Sequence, residues 1–251
     1  MKSYLKYIFL VLFTNSLYAL NSDIEKGIEL FKNKKYDKSF AILMPYAKSG
    51  DAKAQFYIGL IYDMGSIKYM DKFRAVKWYL KSANQGLSEA EYDMGVMLSK
   101  GEGIAKDLKE AFKWYKKAAL KGNKYAMYNL GVAYSRGYGI DRNISKAKEW
   151  YKKAVNLNMD KAAYNLAIIY QNEGENNKAF EFFKKAALDG NVKAMFHLGY
   201  IYQQKNDLDN AIKWYKEAAI NGNKKARLNL AHILQKQGKK DEANFWLDRA
   251  K

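Results

Sequence analysis

The sequence predicts an all-α protein, a right-handed α/α superhelical solenoid of about seven helix-turn-helix repeats. Three observations predict it. The pair Trp78-Tyr79 recurs as Trp114-Tyr115 and Trp150-Tyr151, then continues as Phe182-Phe183, Trp214-Tyr215 and Trp246-Leu247. Two further columns keep the same rhythm: Gly59, Gly95, Gly131, Ala167, Gly199, Ala231, and Gly50, Gly86, Gly122, Asn158, Gly190, Gly222. The whole chain of 251 residues contains a single proline, Pro45, so helix breakers are scarce. A fixed period of this length marks small units that cannot bury their apolar faces alone and do so by stacking.

Counting back from Gly59 to Gly27 places the repeats from near residues 22, 54, 90, 126, 162, 194 and 226. In the fourth, Ala126 to Tyr134 reads as helix A. Leu130 and Tyr134 share a face, and Gly131 lets a neighbouring helix approach. Arg136-Gly137-Tyr138-Gly139 is a turn, and Ala147, Trp150, Tyr151 and Ala154 then line one face of helix B. The same pattern makes Trp78, Trp114, Trp150, Trp214 and Trp246 core residues, with Gly59, Gly95, Gly131 and Gly199 opposite. Asn158 stands where other repeats have Gly, as expected of a left-handed helix C-cap. Asp107 and Glu110 have the spacing of a capping box. Lys26 gives the first repeat a polar outer face. In the last repeat Ala243, Trp246, Leu247 and Ala250 are expected to form an uncovered apolar face, a route to weak homo-oligomerisation.

These residues resemble the Sel1-like repeat family, a branch of the tetratricopeptide superfamily. The matching run is Leu130-Gly131, Tyr134, Gly137-x-Gly139, Lys146-Ala147 and Trp150-Tyr151-Lys152-Lys153-Ala154. The third repeat matches through Gly101-x-Gly103, Asp107, Ala111 and Trp114 to Ala119. The resemblance extends over about Ser22 to Lys251. The fifth, sixth and seventh repeats lack the Gly-x-Gly loop and have the tighter tetratricopeptide turn, so the array is a hybrid. The resemblance implies a scaffold or adaptor that binds partners on a concave face lined by helix A, not an enzyme.

The formal net charge is +18 and there is no cysteine, which excludes disulfides, Cys-ligated zinc and a thiol nucleophile. Lys2 and Lys6, the apolar run Tyr7 to Phe13, and Leu17-Tyr18-Ala19 read as a signal peptide over residues 1–19, with the repeat array over 20–251. The alternative is an uncleaved anchor. Cleavage leaves no transmembrane span and implies bacterial export, periplasmic or secreted. Export argues against a nucleic-acid partner and leaves an acidic protein or an anionic envelope polymer to answer the positive charge.

Catalytic constellations are weak. The Gly-x-Gly loops follow helices rather than strands, so they are turns and not phosphate cradles. Ser145-Lys146-Ala147-Lys148 spells S-x-x-K, and cysteine-rich relatives within the family are described as β-lactamase-like or penicillin-binding. The companion motifs S-D-N and K-T-G are missing. No catalytic residue, metal ligand set or cofactor is expected, and His197 and His232 are read as structural or partner-contact residues. The side of helix A opposite Leu130 carries Tyr125, Asn129 and Arg136 in the fourth repeat. The corresponding ladder in the last three is Lys161 with Asn165, Lys193 with His197 and Tyr200, and Lys225 with Asn229 and His232. Lysine charge above an amide or imidazole one turn on suits an acidic or carboxylate-bearing peptide. Protonation of the histidines near pH 6 should strengthen such binding.

Overall fold

The computed structural model describes residues 22–66 and 68–250; the expected signal segment lies outside them. The first helix, α1, covers residues 22–32. It is followed by α2 (Tyr36–Ser49), α3 (Ala52–Met64), α4 (Lys72–Asn84), α5 (Ser88–Lys100), α6 (Leu108–Leu120) and α7 (Lys124–Arg136). Then come α8 (Ile144–Val155), α9 (Asp160–Asn172), α10 (Asn176–Leu188), α11 (Val192–Gln204), α12 (Leu208–Ile220), α13 (Lys224–Lys236) and α14 (Lys240–Asp248). Odd helices are the A helices and even ones the B helices of seven tandem pairs. The all-α repeat fold read from the sequence is the fold adopted.

The chain divides into two compact units. The first ends at Ala126 and includes Tyr138–Ile140; the second comprises Met127–Gly137 and Asp141 onward. Within the first, consecutive helices pack from α2 to α6; within the second they pack from α8 to α14, and helix α11 also touches α13. Among the described residues no helix is long and apolar enough to cross a membrane.

Local chemistry sets the helix ends. Asp51, Asp71, Asn143, Asn191, Asp207 and Asn223 each cap a helix by accepting the backbone N–H three residues on. Asp107 does the same for Lys109 and Glu110, but the Glu110 carboxylate turns to Lys113 at 2.7 Å instead of closing a box. Asn158 has φ 56°, the left-handed conformation expected of it. In the Gly101-x-Gly103 loop, a Cβ on Gly103 would fall 2.2 Å from the carbonyl oxygen of Lys72, so this loop is a close crossing over the start of α4.

The core differs from the sequence reading in one respect. The buried member of the recurrent aromatic pair is the second: Tyr79, Tyr115, Tyr151, Phe183 and Tyr215. Trp78, Trp150 and Trp214 are only half-buried, at the edge of the helix-B stripe, whereas Trp114 and Trp246 are buried. One residue along a helix is a rotation of roughly 100°, which carries the indole away from the centre of the stripe. Lysine ammoniums sit over the indoles, Lys81 on Trp78 at 4.4 Å, Lys117 on Trp114 at 3.9 Å and Lys153 on Trp150 at 4.3 Å.

The last repeat also corrects an expectation. Ala243 and Trp246 are turned inward and Leu247 is half-buried, because α14 lies against α13. The exposed ring is Phe245, covered by the Arg249 guanidinium at 3.7 Å. Phe245, Ile220 and Trp246 line a groove of about 570 Å³ with Lys216, Asp241 and Glu242, among residues of B helices.

Candidate binding surface

The glycine and tyrosine columns meet. A Cβ on Gly59, Gly95, Gly131 or Gly199 would lie 2.5–2.6 Å from the ring of Tyr79, Tyr115, Tyr151 or Tyr215. Each phenol then finds a partner four residues beyond the glycine on helix A. Tyr79 donates to Asp63 at 3.1 Å, Tyr115 to Ser99 at 3.1 Å and Tyr215 to Gln203 at 2.7 Å, while Tyr151 lies 3.4 Å from the Ser135 hydroxyl.

The next repeat completes this arrangement with residues read from the sequence as ligand contacts. Asn165 donates its amide to the Tyr151 oxygen at 3.2 Å, and Asn229 donates to that of Tyr215 at 3.0 Å. Phe183 has no hydroxyl, and there the equivalent residue is His197. Its ring stacks on Phe183, centroids 4.7 Å apart and nearly parallel, with Nε2 3.3 Å from the Tyr164 hydroxyl. These three side chains are half-buried ties between repeats. Burial also lowers the His197 pKa below its ordinary value. His197 is therefore neutral at pH 7 and more reluctant to charge near pH 6, contrary to the expected gain in anion binding.

Lys161, Lys193 and Lys225 are exposed, as are Tyr200 (44%) and His232. Tyr125 belongs to the first unit and packs on Tyr92 at 5.8 Å; Asn129 is half-buried and Arg136 exposed in the second. A further column was missed in the sequence: Phe56, Tyr92, Tyr128, Tyr164, Phe196 and Leu228, at the same period as the glycines. Its aromatic rings lie against the helix-B rings, from Phe56 on Tyr79 at 5.8 Å to Phe196 on Tyr215 at 5.8 Å. Their period in the sequence was the available signal. In the last repeat the position is Leu228, 49% exposed.

Charge separates the two units. In the first, Lys53 reaches back to Glu25 of the preceding A helix at 3.3 Å. Glu25 occupies the Asn/His position of its repeat. The residues correspondingly behind Lys161, Lys193 and Lys225 are Asn129, Asn165 and His197, and among the described residues these three lysines form no ion pair. Helices α11 and α13 contain no acid, and α9 only Asp160, which accepts from Asn191 at 3.0 Å. The helix-A face of the second unit is thus cationic, with half-buried rings between its lysines.

The first unit is acidic at the equivalent place. Asp93 lies near Tyr79 and Asp63, the latter ion-paired with Lys72. Burial first, then the Asp63 and Glu89 charges, push the Asp93 carboxyl up to about 7 against the opposing Lys100. A raised carboxylate pKa means that the native state holds the proton more tightly, so stability is lost as pH rises from about 4 to 7. Asp93→Asn is expected to stabilise the protein at pH 8 by up to about 2–4 kcal/mol, read as a higher urea midpoint, with the gain shrinking to nothing below about pH 4. A gain independent of pH would refute the assignment.

Among the described residues no three potential ligands gather into a metal site. In the S-x-x-K motif the Lys148 ammonium donates to both oxygens of Glu173 at 2.8 Å.

The Sel1 repeat family model matches residues 52–87, 88–123 and 124–159, and the tetratricopeptide repeat model matches 160–187 and 192–219. No curated protein matches the chain. It is similar to a Sel1 repeat protein from Oxalobacter formigenes at TM-score 0.81 and 28% identity, over 90% of this chain and 98% of that one. It is also similar to c5321, a protective antigen present in uropathogenic Escherichia coli strains displaying an SLR fold, at TM-score 0.81 and 27% identity, over 94% of this chain and 54% of that one. The pilF protein of Pseudomonas aeruginosa, at TM-score 0.63 and 17% identity over 80% of this chain and 90% of that one, shares the fold alone.

Proposed function

Because the chain is a Sel1-like repeat protein whose array runs on into tetratricopeptide repeats, we propose that it is an exported scaffold that binds protein partners. Such repeats are interaction modules, and their helix-A faces are the surfaces that stacking leaves open. The proposed ligand is an acidic, extended peptide segment on the helix-A face of the second unit. The observation that carries this is the missing counter-charge. Lys53 has its Glu25, whereas Lys161, Lys193 and Lys225 face neutral residues, and the ligand would bring the carboxylates. Removal of residues 1–19 would place the protein in the periplasm or outside the cell. Material from the native host beginning at Leu20 is the expected sign of that.

The test uses immobilised mature protein, an envelope extract, and a Lys193→Ala/Lys225→Ala variant. Proteins retained by the wild type should be released as salt rises and should bind the variant about tenfold or more weakly, from two lost charge-assisted contacts. The same proteins held equally by both forms at all salt concentrations would place the partner elsewhere.

A further inference from the structure

The lysines of the second unit recur one per A helix, and this period constrains what can lie across them. Helices α11 and α13 are in contact, and packed helix axes are about 8–10 Å apart. Lys193 and Lys225 hold equivalent places on them, and Lys161 holds the same place on α9. A peptide that crosses α11 and α13 and pairs with both lysines would therefore present carboxylates ~8–10 Å apart on one side. A β-strand presents same-side residues about 6.6 Å apart and falls out of step. A polyproline II helix turns once in three residues with a rise of about 3.1 Å each, which gives ~9.3 Å and keeps every third residue on the same side.

The surface between the lysines suits that conformation. Tyr164 and Phe196 are half-buried and held against the rings of Phe183 and Tyr215, and Tyr200, four residues after Phe196 on the same helix, is exposed. Pre-formed polyproline II segments dock on such aromatic surfaces at little entropic cost. Resting on the acidic-peptide reading above, we infer that the ligand is a polyproline II segment with an acidic residue at every third position. Its carboxylates would take the place, opposite Lys193 and Lys225, that Glu25 takes opposite Lys53.

The experiment compares peptides of identical composition, built from glutamate, proline and alanine. One has glutamate at every third position, one at every second, and one has all its glutamates together. Each is titrated by fluorescence anisotropy against the full chain and against Lys193→Ala/Lys225→Ala, at low and high salt. The third-position peptide should bind about tenfold tighter than the others, and the preference should vanish in the variant. Equal, salt-sensitive affinities that all fall in the variant would overturn the spacing while leaving the acidic-peptide reading standing. Binding of none of the peptides, or binding indifferent to both salt and the lysines, would overturn both.

Discussion

Gly199→Ala is expected to destabilise the second unit by about 1–3 kcal/mol, read as a lower urea midpoint. Two effects compete. Alanine is the better helix former by roughly 1 kcal/mol, which alone predicts a gain. The new Cβ, however, would lie 2.6 Å from Cδ1 and 2.8 Å from Cε1 of Tyr215. That ring is fully buried, with its hydroxyl bonded to Gln203 and Asn229 on two different helices, so it cannot slide away. Overpacking of this kind costs about 1–3 kcal/mol, occasionally more, and should win. The fifth repeat shows how alanine is tolerated: Ala167 goes with Phe183, which has no hydroxyl to hold it. Adding Tyr215→Phe to Gly199→Ala should therefore recover part of the loss, although Tyr215→Phe alone is destabilising. A stabilised Gly199→Ala single variant would show that the helices separate freely.

Lys121→Ala should cost about 2–3 kcal/mol, far more than a lysine whose side chain is 42% exposed would suggest. Its ammonium reaches Glu91 at 2.6 Å and the carbonyl of Gly86 at 2.8 Å. The Glu91 side chain is 3% exposed, and its Oε2 accepts no hydrogen bond among the described residues. Removing the lysine leaves a buried carboxylate without its counter-charge, which is the expensive half of such a pair. Water reaching the exposed lysine position keeps the cost below that of a fully buried pair. The preceding repeat solves the same junction without charge. Gln85 donates to Gln55 and to the Gly50 carbonyl, each at 2.8 Å, and Gln55 donates to Ala47. The double change Glu91→Gln/Lys121→Gln should therefore return stability to within about 1 kcal/mol of wild type. A Lys121→Ala protein as stable as wild type would mean that Glu91 turns out to solvent.

The sequence by itself determined the repeat. Period, helix pairs, the left-handed Asn158 and the glycine column were all legible, because one-dimensional stacking makes each repeat meet the same neighbours and so demand the same residues. It also determined which residues share a helix face, including the lysine ladder, since that follows from helical geometry alone. Tertiary structure decided which way each face looks and what its polar groups are used for. Trp and Tyr are adjacent in sequence, and only the packed structure shows that Tyr79, Tyr151 and Tyr215 are buried while Trp78, Trp150 and Trp214 stay at the edge. Asn165, Asn229 and His197 read as an open polar column, yet they are spent on the ring of the preceding repeat. Their identities follow the presence of a phenol or a phenyl there, a dependence between residues 14 positions apart across a turn and a helix. A buried phenol needs a partner and a phenyl does not, and that requirement appears only once the two repeats are packed together.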